Sequence, residues 1–342
     1  MVFDLGMEKH LSGEGLYYKG VPNKTYKQKS PPMVVTYNSR GYRNKEFNES
    51  KTAIRIGCLG GSSTWGGGVN ADETWPAFLQ RYLDKDSPGK YEVINAGFGS
   101  YNAKMVLNLI ENEFIKYAPD MIIIYAGYNE HTGGGGQTLS IFSNSSNVKI
   151  FLYNVHNFLT AKSVFYTGLT RFCAKGDPTD IIKIGERMRT TYRKNLDEII
   201  KICRAKNVKL VILKQPLYLI SPNPSSAGPG DMFLKYYKSP YFEEATFRTI
   251  QKDARDRAFY ARYGRTYYYQ YLIFNEIDKI KSDNSDTIVI GSPNLFIYKQ
   301  ETGGNFFQDV VHLTPQGNDL LAGEIFRNPD LQSALSEIKG GH

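Results

Sequence analysis

The sequence predicts a three-layer α/β/α sandwich around a central, mostly parallel sheet. Two observations indicate this fold. Apolar runs of buried-strand type alternate with helical segments between residues 53 and 130, and glycine-bearing turns follow the runs directly. Such alternation is typical of parallel sheets that carry helices on both faces. With 342 residues, of which 41% are hydrophobic and 22% charged, the chain can bury a substantial core.

The predicted elements follow one another along the chain. Strands are expected at 54–59, from 91, from 121, at 208–213 and at 287–290, and helices at about 74–84, 103–117, 186–206, 240–283 and 314–326. Three parts are expected: a lead-in packed on the domain (1–52), the domain itself (53–330) and a C-terminal tail (331–342). Helical insertions at about 131–185 and 217–285 follow strands at one sheet edge, where they would shape specificity.

The stretch from residue 309 to 318 predicts half of a nucleophilic triad. Asp309 stands three residues before His312, and a helix begins just after it. At that spacing the carboxylate can bind one imidazole nitrogen and leave the other facing a cleft. The alternative is a structural histidine that caps a loop.

A serine follows the first apolar run directly and predicts the nucleophile. The run ends in Gly60 and Gly61, and Ser62 comes next. A serine at the carboxyl end of a strand can attack a carbonyl while unused backbone N–H groups hold the oxyanion. The segment lacks the Lys-Ser/Thr ending of a P-loop, and Thr64 stands where a G-x-S-x-G elbow needs its last glycine. Ser62 could instead be a turn or helix-cap residue, and a slip of one position would make Ser63 the nucleophile.

Two later strand ends add candidate oxyanion donors. A strand from residue 91 runs into the glycine-bearing loop 95–101, and the strand from residue 121 ends in a Gly-x-Asn sequence that contains Asn129. Parallel strands end at the same sheet edge, so these donors would meet Ser62 there. The alternative for Asn129 is a helix cap.

These four blocks together resemble those of the SGNH hydrolases, also called the GDSL family. Its first, second, third and fifth blocks fall on residues 60–66, 95–101, 127–130 and 309–312. The order and spacing agree, and the resemblance covers about 53–130 and 205–327. It implies a flavodoxin-like SGNH fold and a bacterial source.

The resemblance also implies a mechanism. Ser62 would attack an ester carbonyl, and His312 would act as the base. Asp309 would fix the tautomer of His312 and stabilise the imidazolium. The oxyanion would be held by the N–H of Ser62, an N–H of Gly99 or Ser100, and the Asn129 amide. The implied function is a serine esterase that removes, or transfers, short acyl groups such as O-acetyl on a carbohydrate. The alternatives are a lipase or thioesterase, and a catalytically silent carbohydrate-binding module of the same fold.

Three positions depart from the family pattern. Gly61 replaces the aspartate before the nucleophile, Ser100 stands where the second block has its oxyanion glycine, and Glu130 replaces the aspartate after Asn129. A backbone N–H donates whatever side chain its residue carries, so the resemblance leaves the second donor open between Gly99 and Ser100.

Two further segments have less specific interpretations. Residues 37–43 resemble the Asn-x-x-Gly-x-Arg lead-in of exported or membrane-anchored SGNH proteins from surface-polysaccharide gene clusters. The tyrosine-rich run 267–271 could stack against sugar rings, but it could equally be core or dimer surface.

Composition excludes several other classes. No apolar run approaches the roughly 20 residues of a membrane-spanning helix. The net charge is +8, but its 42 basic residues are dispersed among 34 acidic ones, so no nucleic-acid partner is expected. Three widely spaced cysteines and five scattered histidines give no disulfide framework and no metal site, and no cofactor is expected.

The expected partner is a small-molecule or polysaccharide ester substrate, and the oligomeric state is left open. No signal peptide is evident after Met1. The expected location is therefore cytoplasmic if Met1 is the natural start, and periplasmic or otherwise extracytoplasmic if a signal or anchor preceded it.

Overall fold

A five-stranded parallel sheet forms the centre of the molecule, in the order β6-β5-β7-β8-β9. The computed structural model describes residues 7–12, 15–29, 32–47, 51–130, 180–217, 265–291, 305–309 and 311–340. The central strands are β5 (Ile54–Gly60), β6 (Tyr91–Gly97), β7 (Met121–Tyr125), β8 (Lys209–Leu213) and β9 (Thr287–Ile290). Two antiparallel hairpins precede them: β1 (Met7–Ser12) with β2 (Gly15–Gly20), and β3 (Thr25–Lys29) with β4 (Pro32–Thr36).

Helices cover both faces of this sheet. In chain order they are α1 (Ser62–Trp65), α2 (Trp75–Asp86), α3 (Ala103–Asn112), α4 (Asp180–Ala205), α5 (Arg265–Asp283), α6 (Pro315–Arg327) and α7 (Pro329–Gly340). Helices α3, α4 and α5 share one buried core, and α2, α6 and α7 share the core on the opposite face. The predicted three-layer α/β/α fold is therefore confirmed.

Strand β7 shows why both layers form. Ile122 and Ile124 face the core of α3, whereas Met121, Ile123 and Tyr125 face the core of α2. Alternate side chains of a strand point to opposite faces, so a strand covered on both sides must be apolar throughout.

Strand order also locates a crevice. Strand β5 lies between β6 and β7, so the chain moves to one side of β5 and then crosses to the other. In open α/β sheets, such a reversal opens a crevice at the carboxyl ends of the strands, where ligands bind.

The elements differ from the predicted ones mainly at their ends. The expected helix 103–117 divides into α3 and a 3-10 turn, Phe114–Tyr117, because Glu113 leaves the helical conformation with φ −141° and ψ −58°. Helix α4 begins at Asp180 rather than at 186. The segment expected as a tail contains α7, whose Leu331, Ala334 and Leu335 are buried in the core beside α2.

The N-terminal segment is joined to the domain by a carboxylate. Glu113 accepts hydrogen bonds from Lys19 Nζ (2.7 Å), Tyr117 OH (2.8 Å), Tyr42 OH (2.9 Å) and Tyr17 OH (3.3 Å). Burial alone raises the pKa of Glu113, but the hydrogen bonds and the Lys19 charge outweigh it and lower that pKa. The carboxylate therefore stays ionised at neutral pH and holds the two parts together.

Both predicted insertions fall largely outside the described residues. Within the tyrosine-rich run, Tyr269 is buried in the core and Tyr271 packs against it. None of the helices in the described parts of the chain is both long and apolar enough to cross a membrane.

Candidate active site

Ser62 is the first residue of the short helix α1, immediately beyond strand β5. Its side chain is partly exposed, whereas Ser63, Thr64 and Trp65 are buried. The Ser62 hydroxyl is therefore accessible at the carboxyl end of β5, whereas the Ser63 hydroxyl is buried.

A chain of hydrogen bonds joins Ser62 to Asp309 through His312. Ser62 Oγ lies 2.8 Å from His312 Nε2, and His312 Nδ1 lies 2.7 Å from Asp309 Oδ2. The other carboxylate oxygen, Asp309 Oδ1, accepts the backbone N–H groups of Val311 (2.9 Å) and His312 (2.8 Å). The carboxylate thus holds both the backbone and the ring of the histidine.

The ionisation of Asp309 decides the tautomer of the ring. Partial burial raises the pKa of this carboxyl, but the hydrogen bond and charge of His312 and the two backbone N–H groups lower it to about 2. An ionised carboxylate can only accept, so Nδ1 carries the proton in the neutral ring. Nε2 is then the ring nitrogen that can accept the hydroxyl proton of Ser62.

The hydroxyl of Ser63 has other partners than the imidazole of His312. This hydroxyl donates to the Val311 carbonyl (3.2 Å) and accepts from Gln215 Nε2 (3.1 Å). The structure therefore brings Ser62 to His312 and makes Ser63 a link between helix α1 and the histidine loop.

Gln215 is a buried residue of this site that the sequence interpretation missed. Besides binding Ser63, its Oε1 accepts the backbone N–H of Tyr128 (3.2 Å), and its carbonyl accepts from Gln270 Nε2 (3.0 Å). It connects the serine, the loop after β7 and helix α5. The available signal was a polar side chain two residues beyond the carboxyl end of β8.

The Asn129 amide lies next to the start of α1. Its Nδ2 donates to the Tyr101 carbonyl at 2.9 Å, which leaves the second amide hydrogen for another acceptor. A Cβ on Gly61 would lie only 2.7 Å from the same nitrogen. The asparagine amide is therefore packed against the residue that precedes Ser62.

Residues 58–320, which make up most of the chain, match the GDSL-like Lipase/Acylhydrolase family. The chain belongs to this family of ester-hydrolysing enzymes. A comparison with curated proteins finds no match.

Solved structures of several GDSL-like and related proteins are similar to this chain. An acetyl xylan esterase, AlAXEase, has 17% identity and a TM-score of 0.44, with 80% of this chain and 98% of that one covered. A lipase/acylhydrolase from Enterococcus faecalis has 14% identity and a TM-score of 0.43, with 81% and 95% covered. TesA has 12% identity and a TM-score of 0.44, with 82% and 99% covered.

The structure shows the surroundings of the three positions at which this chain departs from the GDSL family pattern. A Cβ on Gly61 would lie 2.7 Å from Asn129 Nδ2, so the asparagine amide would have to shift to accommodate a side chain at this position. Ser100 has φ +61°, a left-handed conformation that glycine adopts without cost, so the serine keeps a backbone shape suited to glycine. The neighbouring Gly99 carbonyl accepts from Tyr18 OH, which ties this turn to the N-terminal segment.

Glu130 anchors the first turn of helix α3. Its Oε1 accepts the Ala103 backbone N–H at 2.6 Å, next to the helix cap Asn102, whose side chain accepts from the Met105 N–H (3.0 Å). Burial raises the pKa of the Glu130 carboxyl to about 7, and the Ala103 N–H opposes this only in part. A glutamate here reaches from the Asn129 loop to the helix that follows Ser100.

Among the residues that the structure describes, no group of three or more His, Cys, Asp or Glu side chains could hold a metal ion. Cys58, two residues before the end of β5, is fully buried, and burial raises the pKa of its thiol well above the usual value. It packs as a small apolar residue beneath the site.

Proposed function

We propose that this protein is a serine esterase that removes a short acyl group, above all O-acetyl, from a carbohydrate through an acyl-enzyme. Ser62 is the nucleophile and His312 is the general base. Asp309 orients the His312 ring and stabilises its charged, imidazolium form. The observation that carries the proposal is the unbroken chain from Ser62 Oγ through His312 to Asp309, with contacts of 2.8 and 2.7 Å.

The reaction follows from this chain of hydrogen bonds. Ser62 Oγ attacks the ester carbonyl while its proton passes to His312 Nε2, and the imidazolium is stabilised by Asp309. The tetrahedral oxyanion receives hydrogen bonds from the Ser62 N–H, an N–H of the turn at Gly99 and Ser100, and the Asn129 amide. His312 then protonates the leaving alcohol as the C–O bond breaks.

Water completes the cycle by the same steps in reverse order. His312 takes a proton from the water, which attacks the acyl-enzyme carbonyl, and returns that proton to Ser62 Oγ as the acid leaves. A sugar hydroxyl in place of water would transfer the acyl group instead.

A short acyl group is supported by the residues around Ser62. The loop that follows α1 consists of Gly66, Gly67 and Gly68, and the oxyanion side offers an amide and backbone groups. Among the described residues, Val34 of β4 is the one large apolar side chain that is exposed, and it is not part of the site. A lipase would need an apolar channel, in which each buried CH₂ contributes about 0.8 kcal/mol. The carbohydrate part of the proposal is supported by the family resemblance.

Labelling with a fluorophosphonate probe tests the nucleophile, because only an activated serine reacts. We expect wild-type protein and Ser63→Ala to label, and Ser62→Ala to lose both labelling and ester hydrolysis while staying folded. Labelling of folded Ser62→Ala, or none in the wild type, would contradict the proposed mechanism. The second result would favour a silent binding module.

The substrate class needs a separate measurement. We expect kcat/KM on p-nitrophenyl esters to be highest for acetyl and to fall towards decanoyl, and we expect acetate release from acetylated polysaccharides. A steady rise with chain length would favour a lipase or thioesterase. Adding an acceptor glycan and looking for an acetylated product separates transfer from hydrolysis.

A further inference from the structure

Arg43 is a buried arginine whose partners are backbone carbonyls. Arg43 is only 1% exposed to solvent. Nη1 donates to the carbonyls of Trp65 (3.0 Å) and Gly66 (2.7 Å), and Nη2 donates to that of Val69 (2.6 Å) and, at 3.4 Å, to that of Val34. Three of these four carbonyls belong to the segment directly after Ser62.

The hydrogen bonds of the guanidinium in the described part of the chain go to these neutral carbonyls, and its central carbon lies over the Trp65 ring, 4.8 Å from the ring centre. Burial lowers the pKa of Arg43 to about 10, so the side chain is still a cation at neutral pH. A buried cation is costly unless its N–H groups are bonded, and the rigid guanidinium fork can bind several carbonyls in one plane.

The segment that Arg43 holds, residues 66–69, contacts the candidate nucleophile directly. We call it the glycine loop. The backbone N–H groups of Gly66 and Gly67 both donate to the Ser62 carbonyl at 2.9 Å. Any shift of the glycine loop therefore moves the backbone of Ser62.

The same loop also supports the candidate base. A Cβ on Gly67 would lie 2.9 Å from His312 Cδ2 and 3.1 Å from Nε2, so the imidazole edge rests on the Gly67 backbone. Gln308 strengthens this contact, because its Nε2 donates to the Gly67 carbonyl (3.1 Å) and its backbone N–H donates to the His312 carbonyl (2.8 Å). The loop thus touches Ser62 on one side and His312 on the other.

We propose that Arg43 is a positioning residue of the active site: by holding the glycine loop, it sets the distance and angle between Ser62 Oγ and His312 Nε2. This inference rests on the proposed roles of Ser62 and His312. It gives one residue of the N-terminal segment, Arg43, a part in positioning the active site.

Variants of Arg43 test this role through rates measured on folded protein. We expect Arg43→Met to lower kcat and the fluorophosphonate labelling rate by about 10- to 100-fold, since a displacement of the order of 1 Å can have such an effect. KM should change by less than about twofold, because the loss falls on the reacting pair and not on ground-state binding. Arg43→Lys keeps the charge but not the planar fork, so a smaller loss is expected.

The matched control is the neighbouring residue. Tyr42→Phe removes from the same segment a hydroxyl that donates to Glu113, a residue outside the glycine loop. It should lower the melting temperature and leave the labelling rate at the wild-type level. All rates are measured well below the lowest melting temperature of the set, so that lost stability alone cannot lower them.

Ser62→Ala, measured in the same series, distinguishes the two proposals. If Ser62→Ala does not label but a folded Arg43 variant labels at the wild-type rate, the positioning role of Arg43 is overturned and the proposed function stands. If Ser62→Ala still labels, the proposed function fails and the role of Arg43 fails with it. Should Arg43→Met not fold, Arg43→Lys alone decides, and a wild-type rate in it overturns the inference.

Discussion

At the residue scale, the chemistry of the candidate site depends on which side chains are charged. Asp309 accepts three hydrogen bonds from residues 311 and 312, and its pKa is lowered to about 2. It is therefore ionised at every pH at which the protein is expected to work. Its charge can stabilise an imidazolium, whereas a neutral amide in its place can only orient the ring.

Replacing Asp309 with asparagine separates charge from orientation. We expect Asp309→Asn to lower kcat by roughly 10²- to 10⁴-fold, because the imidazolium loses its counter-charge and the ring can take the wrong tautomer. The loss should be smaller than that of His312→Ala. Steady-state kinetics on p-nitrophenyl acetate measure kcat of both variants. An unchanged kcat in Asp309→Asn would show that Asp309 has no role in the mechanism.

Glu130 gives a pH-dependent prediction of stability. Its pKa in the folded protein is about 7, above the usual 4.5, so its favourable contribution is complete below about pH 4.5 and is lost as the pH rises through 7. Glu130→Gln keeps an acceptor for the Ala103 N–H but cannot ionise. The variant and wild type should therefore have similar melting temperatures at pH 5, whereas the variant should be the more stable at pH 9. A difference independent of pH would show that Glu130 does not titrate in this range.

At the scale of elements, the site is assembled from short segments at strand ends. Helix α1 contains only residues 62–65, too few for a helix to be stable alone, so its position depends on what contacts it. The glycine loop contacts its carboxyl end, Asn129 packs against Gly61, and Ser63 binds Gln215. Small changes in these contacts should therefore affect rate more than stability.

Gly67→Ala tests the packing of the glycine loop on His312. The added methyl group would lie 2.9 Å from His312 Cδ2, closer than carbon atoms normally approach, so the ring or the glycine loop must shift and the geometry between His312 and Ser62 must change. We expect kcat to fall by at least about tenfold, as in other cases where a reacting group is misplaced. The control is Gly89→Ala, where a Cβ meets nothing within 4 Å and only stability should change, since φ is +72°. Equal kcat values for the two variants would contradict the role of this contact.

At the scale of the whole molecule, the N-terminal segment and the α/β domain form one structure. Tyr17 and Tyr18 lie in the same core as α3, and Lys19, Tyr17 and Tyr42 bind Glu113 of the domain. Arg43 adds a second connection at the glycine loop. Residues that precede the family match, which starts at 58, thus contact the domain that contains the candidate site.

Glu113→Gln should weaken this connection. The amide cannot neutralise Lys19, and removal of one partner from a buried pair costs about 3 kcal/mol at the lower end of the usual range. The folded pKa of Glu113 is lowered, so its stabilisation is present above about pH 4.5 and is lost as the pH falls through the folded value. Urea unfolding at pH 7 and at low pH should show a difference that shrinks in acid. A difference that is equal at both pH values would contradict an ionised Glu113.

The sequence by itself predicted the fold class and the family, and it named candidate residues for one site. Apolar runs and glycine turns are local signals, and an Asp-x-x-His spacing places its two side chains on one loop wherever that loop lies. The tertiary structure decided that Ser62 rather than Ser63 meets His312, and that Asn129 packs closely against Gly61. It also brought Arg43 to the carbonyl of Gly66 and Gln215 to the hydroxyl of Ser63. These features depend on atoms brought together from segments far apart in the chain, and a local sequence pattern carries no information about such contacts.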